Sequence, residues 1–152
     1  MNTVLFVCVE NAARSLMAEA IFNADPPSGW HANSAGTSPA ALPNPRTEPM
    51  LREIALPLPA HAPRLLDTSM LAEASVRISM GCLDSASCPA AMRTFEFLDW
   101  ELPDPAKLDD EGFRQVRDEI VDRVRALRQV LVASGRDPAA AASAELRTPS
   151  GD

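Results

Sequence analysis

Three residues near the N-terminus have types and spacing suited to covalent chemistry: Cys8, Arg14 and Ser15. The apolar, β-branched run Val4-Leu5-Phe6-Val7 leads straight into Cys8, and Val9-Glu10-Asn11-Ala12-Ala13 separates it from Arg14-Ser15. Leu16-Met17-Ala18-Glu19-Ala20-Ile21-Phe22 follows as a strong helix former. The order reads strand, tight loop, helix. In that arrangement the N–H groups of the loop (Val9, Glu10, Asn11, Ala12, Ala13, Arg14) and of the helix start converge in front of Cys8. A tetrahedral oxyanion fits such a nest. The guanidinium fork of Arg14 matches two of its oxygens. The same field favours negative charge on sulfur: a thiol near pKa 8.5 falls to roughly 3.5–7.5 at a helix N-terminus or beside a cation. Cys8 is therefore expected to be a thiolate near neutral pH, with Ser15 donating a hydrogen bond to it. A lone cysteine at a strand end is more often an inert core residue. The strand before, the Arg-Ser offset and the helix after together outweigh that reading.

Two further groups of residues carry chemistry. Met80-Gly81-Cys82-Leu83-Asp84-Ser85-Ala86-Ser87-Cys88-Pro89 places two more thiols on a segment of small and polar residues. Such a segment has little apolar area to hold it down and opens at modest cost. A mobile cysteine pair beside a nucleophilic cysteine suggests sequential thiol–disulfide exchange. Zinc binding by Cys8, Cys82 and Cys88 competes, but the fourth ligand would have to be His31 or His61, and there is no Cys-x2-Cys knuckle. Two inert cysteines are the remaining alternative. In Asp99-Trp100-Glu101-Leu102-Pro103-Asp104-Pro105, Asp104 lies between two prolines and could serve as a general acid–base. Against it stands an ordinary solvated turn aspartate, and Asp99 is an internal competitor.

The elements that must position these groups follow from the pattern along the chain. Strands are expected over 3–8, 31–37, 76–80 and 95–98. Helices are expected over 15–23, 47–54 and 68–74, with a short one after Pro89. The clearest helix carries an apolar stripe of Phe113, Val116, Ile120, Val124, Leu127 and Leu131. Arg114, Arg117, Asp118, Asp122, Arg125 and Arg128 are assigned to its wet side. Strands alternating with helices give an α/β three-layer sandwich, a parallel sheet with helices on both faces. Ligands in such sheets sit beyond the C-terminal strand ends, where Cys8, Gly36, Cys82 and the Trp100–Pro105 loop share one rim.

The whole chain narrows the function class. Its 152 residues, 46% of them apolar, make one domain with a sizeable core. That domain is placed at 1–132, and the Ala/Pro-rich tail 133–152 is expected to be disordered. A net charge of −7 argues against nucleic-acid binding. No apolar run reaches membrane-spanning length, and the N-terminal segment lacks a leader's basic flank and cleavage site. A cytoplasmic protein is expected, and its three cysteines then point to redox chemistry rather than structural disulfides.

The Cys-x5-Arg-Ser pattern resembles the low-molecular-weight protein tyrosine phosphatase fold family. With the pair Cys82/Cys88 and Asp104-Pro105, the chain is most similar to that family's thioredoxin-coupled arsenate reductases, from about Thr3 to Val132. Ser34-Ala35-Gly36-Thr37, Asn44-Pro45 and Arg117-Asp118-Glu119-Ile120 also look like family signatures. The resemblance implies a four-stranded parallel sheet flanked by helices, and reduction of arsenate to arsenite in arsenic detoxification, with no cofactor. Phosphate and sulfate would compete for the anion site. It implies Cys8 as nucleophile, Arg14 and the loop as anion holder, Asp104 as acid, and Cys82 then Cys88 as resolving thiols, with thioredoxin as reductant. Mycothiol or glutaredoxin coupling is the variant reading. Phosphomonoester hydrolysis through a phosphocysteine is the competing activity, although the chain has no tyrosine and Ala106 follows Asp104-Pro105. Glu10 stands where many relatives have glycine, and Ala13 where a cysteine is frequent. Some relatives hold potassium near residues matching Asn11, Glu19 and Ser34, but Arg64 occupies the position of a further ligand.

Overall fold

The computed structural model describes residues 1–81 and 88–133. Four strands, β1 (Asn2–Cys8), β2 (Trp30–Gly36), β3 (Val76–Ser79) and β4 (Leu98–Asp99), form one sheet in the order β2-β1-β3-β4. Every pairing in it is parallel, as expected for strands joined by crossovers. The helices are α1 (Arg14–Ala24), α2 (Thr47–Arg52), α3 (Thr68–Glu73) and α4 (Asp110–Ala133), with single 3₁₀ turns at Ala90–Thr94 and Pro105–Lys107. The expected three-layer α/β architecture is the one observed.

β1 is central because it is apolar on both faces. Val4, Phe6 and Cys8 point into the larger core, with Met17, Phe22 and the stripe of α4 from Phe113 to Leu131. Leu5 and Val7 point the other way, into a smaller core with Leu71 and Met92. Phe6 meets Phe22 edge-on at 6.4 Å between ring centroids and Trp100 at 5.7 Å. These contacts fix the height of β1, and so the position of Cys8 at its C-terminal end. Burial of an aliphatic or Phe side chain stabilises by about 1.5–3 kcal/mol, so the strand that carries the thiol is among the most firmly held elements.

Two local expectations are corrected. The last strand is shorter and later than the run Phe95–Leu98 suggests, with only Leu98 and Asp99 pairing to β3. Phe95 and Phe97 instead pack on the smaller core. Arg117 does not lie on the wet side of α4: it is 5% exposed and donates to the Met50 carbonyl at 3.0 Å and to Glu53 at 2.6 Å. Helical periodicity alone cannot foresee that α2 and its flank would cover this face.

Glu53 couples α2 to α4. It accepts a two-pronged contact from Arg114, 2.9 Å from Nε and 2.9 Å from Nη2, besides the bond from Arg117. The hydrogen bonds from Arg114 and then Arg117 hold the Glu53 carboxyl down at about 2, against 4.5 ordinarily. A carboxyl whose pKa is depressed on folding contributes stability above its unfolded value and loses it as pH falls through the folded one. Thermal unfolding of Glu53→Gln should therefore show a lower Tm than the parent at neutral pH. The gap should close between pH 4.5 and about 2. A gap that persists unchanged at the acid end would show that the carboxylate charge is not what couples the helices.

Candidate active site

The turn between Cys8 and Arg14 is built from outside inward. Thr37 N–H donates to the Cys8 carbonyl at 3.1 Å, Ser38 to Val9 at 2.8 Å, Ala40 to Glu10 at 3.0 Å and Asn44 to Ala12 at 3.0 Å. The Thr47 hydroxyl adds a bond to the Ala12 carbonyl at 2.7 Å. With its carbonyls drawn outward, the loop is left to present N–H groups to the interior, which is the condition for an anion nest. Gly36 lets the two backbones approach this closely: a Cβ there would lie 2.6 Å from the Val9 carbonyl oxygen. The Ser34–Thr37 and Asn44-Pro45 signatures thus belong to the outer wall of the loop.

Behind the thiol lies a buried polar network. Asn11 is fully buried at φ 52°, a left-handed conformation that asparagine tolerates. Its N–H donates to Cys8 Sγ at 3.2 Å. Its Nδ2 donates to Ser15 Oγ at 2.7 Å and to Ser34 Oγ at 3.0 Å. Ser15 Oγ lies 2.9 Å from Cys8 Sγ. Because that oxygen already accepts from Asn11, its own proton is free to point at the sulfur. Cys8 Sγ is thus faced by an N–H and an O–H donor. Ser34 Oγ donates to Glu19 Oε1 at 2.5 Å, and Glu19 also accepts from His61 Nε2 at 2.9 Å.

A potassium ion does not fit these residues. Asn11 Oδ1 accepts from the Arg64 backbone at 3.0 Å, and the Ser34 carbonyl accepts from Arg64 Nε at 2.9 Å. A guanidinium cation already occupies the side from which an ion would be held. Among the described residues, no group of three His, Cys, Asp or Glu converges as a metal site.

In front of the thiol is a cavity of about 300 Å³, at the small end for ligand pockets. Its floor is Cys8, Val9, Glu10, Ala12, Ala13 and Arg14, where α1 begins. Asn44 extends the loop side, to which its N–H is bonded, and Asp104, Ala106 and Lys107 form the other wall. Arg14 is 8% exposed, lines the cavity, and donates from Nη1 to the Leu102 carbonyl at 3.1 Å. Asp104 begins the 3₁₀ turn Pro105–Lys107, with Oδ1 accepting from Ala106 N at 3.0 Å. Asp99 is outside the cavity lining, its carboxylate accepting from the Ser79 hydroxyl at 3.1 Å. Glu10 is the exposed member of the loop's part of that lining. Lys107, a cation on the cavity wall, was not legible as a site residue, because a lone lysine after a turn carries no pattern.

The three cysteines do not share one described site. Cys88 is half-buried on the smaller core, 3.9 Å from Met92 Sδ, and is absent from the cavity lining. Cys82 falls in the segment 82–87, outside the described residues, as does all but the first residue of the tail 133–152.

Gly81 completes the Arg14 setting. It has φ +87°, and a Cβ there would stand 2.6 Å from Arg14 Nη1. Gly81→Ala should strain the backbone by about 1–3 kcal/mol and displace the guanidinium. Since a hydrogen bond to a charged group contributes about 1.5–3 kcal/mol, phosphate or arsenate affinity should fall roughly 10- to 100-fold. Equilibrium anion binding by calorimetry checks this, and unchanged affinity would mean that Arg14 does not hold the ion.

Known proteins place this geometry. Over 132 residues the chain is 28% identical to arsenate reductase 1 of Staphylococcus haemolyticus, covering 86% of this chain and 98% of that protein. A solved thioredoxin-dependent arsenate reductase of Corynebacterium glutamicum matches at 29% identity and TM-score 0.72, over 89% of this chain but only 64% of that one, just under two thirds. A solved arsenate reductase in its phosphate-binding state matches at 28% identity and TM-score 0.73, over 85% of this chain and 98% of that one. A family model described as low molecular weight phosphotyrosine protein phosphatase matches residues 3–136, a span that takes in both walls of the cavity. On that match, the chain belongs to the low-molecular-weight phosphotyrosine protein phosphatase family.

Proposed function

We propose that this protein reduces arsenate to arsenite through a cysteine relay. The observation that carries the reading is the placement of Cys8 Sγ between the Ser15 hydroxyl and the Asn11 N–H, at the floor of a small cavity that also holds Arg14 and Asp104. Relatives named arsenate reductases, one of them captured with phosphate bound, support an oxyanion as its ligand. Phosphate and sulfate compete for the same cavity.

In the first step Cys8 Sγ attacks arsenic, and Asp104 protonates the oxygen that leaves as water. The Cys82 thiolate then attacks Cys8 Sγ. The S–As bond breaks with its electron pair going to arsenic, so arsenite departs and a Cys8–Cys82 disulfide remains. Cys88 attacks Cys82 and returns Cys8 as thiolate. An external dithiol, thioredoxin by the likeness to a thioredoxin-dependent relative, reduces Cys82–Cys88. The cytoplasm supplies that reductant, and arsenic detoxification is the role.

A second reading is hydrolysis of phosphomonoesters through a phosphocysteine on Cys8. The family match and the position of Cys88 away from the cavity favour it. Arsenite release is to be measured with thioredoxin and its reductase, with mycothiol, with glutaredoxin and glutathione, and with no reductant, alongside hydrolysis of an aryl phosphate. Multiple turnovers with thioredoxin alone support the relay as written. Aryl phosphate hydrolysis with no arsenite under any reductant would assign the chain to the phosphatases.

A further inference from the structure

The residue that joins the two walls of the cavity is Arg46. Its backbone N–H is held by Asn44 Oδ1 at 2.9 Å, and Asn44 N–H is itself bonded to the Ala12 carbonyl of the anion loop at 3.0 Å. From that anchor the guanidinium spans to the opposite wall. Nη1 donates to the Leu108 carbonyl at 2.8 Å and to Asp110 Oδ1 at 3.2 Å. Nη2 donates to the Pro105 carbonyl at 3.1 Å and to the Ala106 carbonyl at 3.3 Å. The guanidinium also lies over the Phe113 ring, 4.8 Å from its centroid.

The Ala106 and Leu108 carbonyls accept from Arg46, and the Pro105 carbonyl takes it as a second donor beside the Leu108 N–H that closes the short 3₁₀ turn at 3.0 Å. That turn is the one Asp104 begins, through its bond to Ala106 N–H. A turn of this length has too few internal bonds to hold a fixed orientation alone. A planar fork with donors on both nitrogens can bond several carbonyls of one turn at once, whereas a lysine supplies a single point.

We propose that Arg46 is a positioning residue: it docks the Asp104 turn against the anion loop, so that the acid is delivered to the oxygen that leaves. The inference rests on Asp104 as the general acid. An arginine that merely ties α2 to α4 would lower stability when removed, but would leave the dependence on leaving group unchanged.

The test compares the parent, Asp104→Asn, Arg46→Met and the double variant on two substrates, p-nitrophenyl phosphate and phenyl phosphate. The first has a leaving group that needs little protonation and the second one that needs much. A general acid contributes about 10²- to 10⁴-fold, so Asp104→Asn should depress the phenyl phosphate rate far more than the other. Arg46→Met should reproduce that selective loss by roughly tenfold or more, in kcat rather than KM, and should add little on the Asp104→Asn background. Hydrogen exchange should speed up at the amides of Ala106, Lys107 and Leu108 in Arg46→Met. Arg46→Lys, which keeps the charge, should not restore either readout. It also serves as the working variant if the methionine protein does not fold. A selective loss in Asp104→Asn with none in the Arg46 variants, or unchanged exchange across the turn, overturns the proposal and leaves the acid standing. An Asp104→Asn protein with parental rates on both substrates overturns the acid and this proposal together.

Discussion

Cys8→Ser is expected to abolish arsenate reduction and aryl phosphate hydrolysis together, by roughly a thousandfold or more, as for other enzymes deprived of their nucleophile. Both reactions start at the same sulfur. Serine keeps the volume, and Asn11 and Ser15 would still offer it their donors at the positions now 3.2 and 2.9 Å from Sγ. What serine lacks is the chemistry: its hydroxyl is not ionised here, and no base among its hydrogen-bond partners stands ready to take the proton. Phosphate affinity should persist, because the ion is held by loop amides and Arg14 rather than by sulfur. A binding measurement beside the two assays therefore separates loss of the nucleophile from loss of the loop. Appreciable arsenite production by Cys8→Ser would remove the thiol from the reaction.

Cys88→Ser should separate the two activities. Hydrolysis of an aryl phosphate needs only Cys8, Arg14 and Asp104, and Cys88 lies outside the cavity they line, so that rate should stay at the parental level. Arsenate turnover should stop after one arsenite per chain, because the Cys8–Cys82 disulfide then has no third thiol to open it. Cys82→Ser should release no arsenite by this route, leaving the arsenic on Cys8. Rapid-quench measurement of arsenite gives the burst amplitude directly. Sustained turnover of Cys88→Ser with thioredoxin would be incompatible with a three-thiol relay and would move the resolving role to Cys82 and an external thiol. Cys88 is half-buried against Met92 and the smaller core.

The amino-acid sequence by itself determined the fold and the place of Cys8 within it. A strand apolar on both faces, a short loop and a helix former leave few ways to fold, and alternation of strands and helices then dictates a parallel sheet with its sites along one rim. Cys8 at the end of β1 and Arg14 at the start of α1 are consequences of local order, so they were legible before any tertiary contact was known. The stripe of α4 from Phe113 to Leu131 was equally legible, because it is read within one element, although the helix itself runs further, over Asp110–Ala133.

Tertiary structure decided what depends on residues far apart in the chain. The choice of Asp104 over Asp99 for the cavity turns on a hydroxyl from another strand, Ser79, which engages Asp99. The burial of Arg117 turns on α2. The restriction of position 81 to glycine turns on the path of Arg14, and the bridge from Arg46 to the Asp104 turn spans some sixty residues of sequence. None of these has a periodicity or spacing to announce it, because a side chain's partner across a cavity is chosen by packing. The opening stretch therefore supplied the sulfur and the loop in front of it, while the wall that faces them, and the means by which it is held in place, came from the folded chain alone.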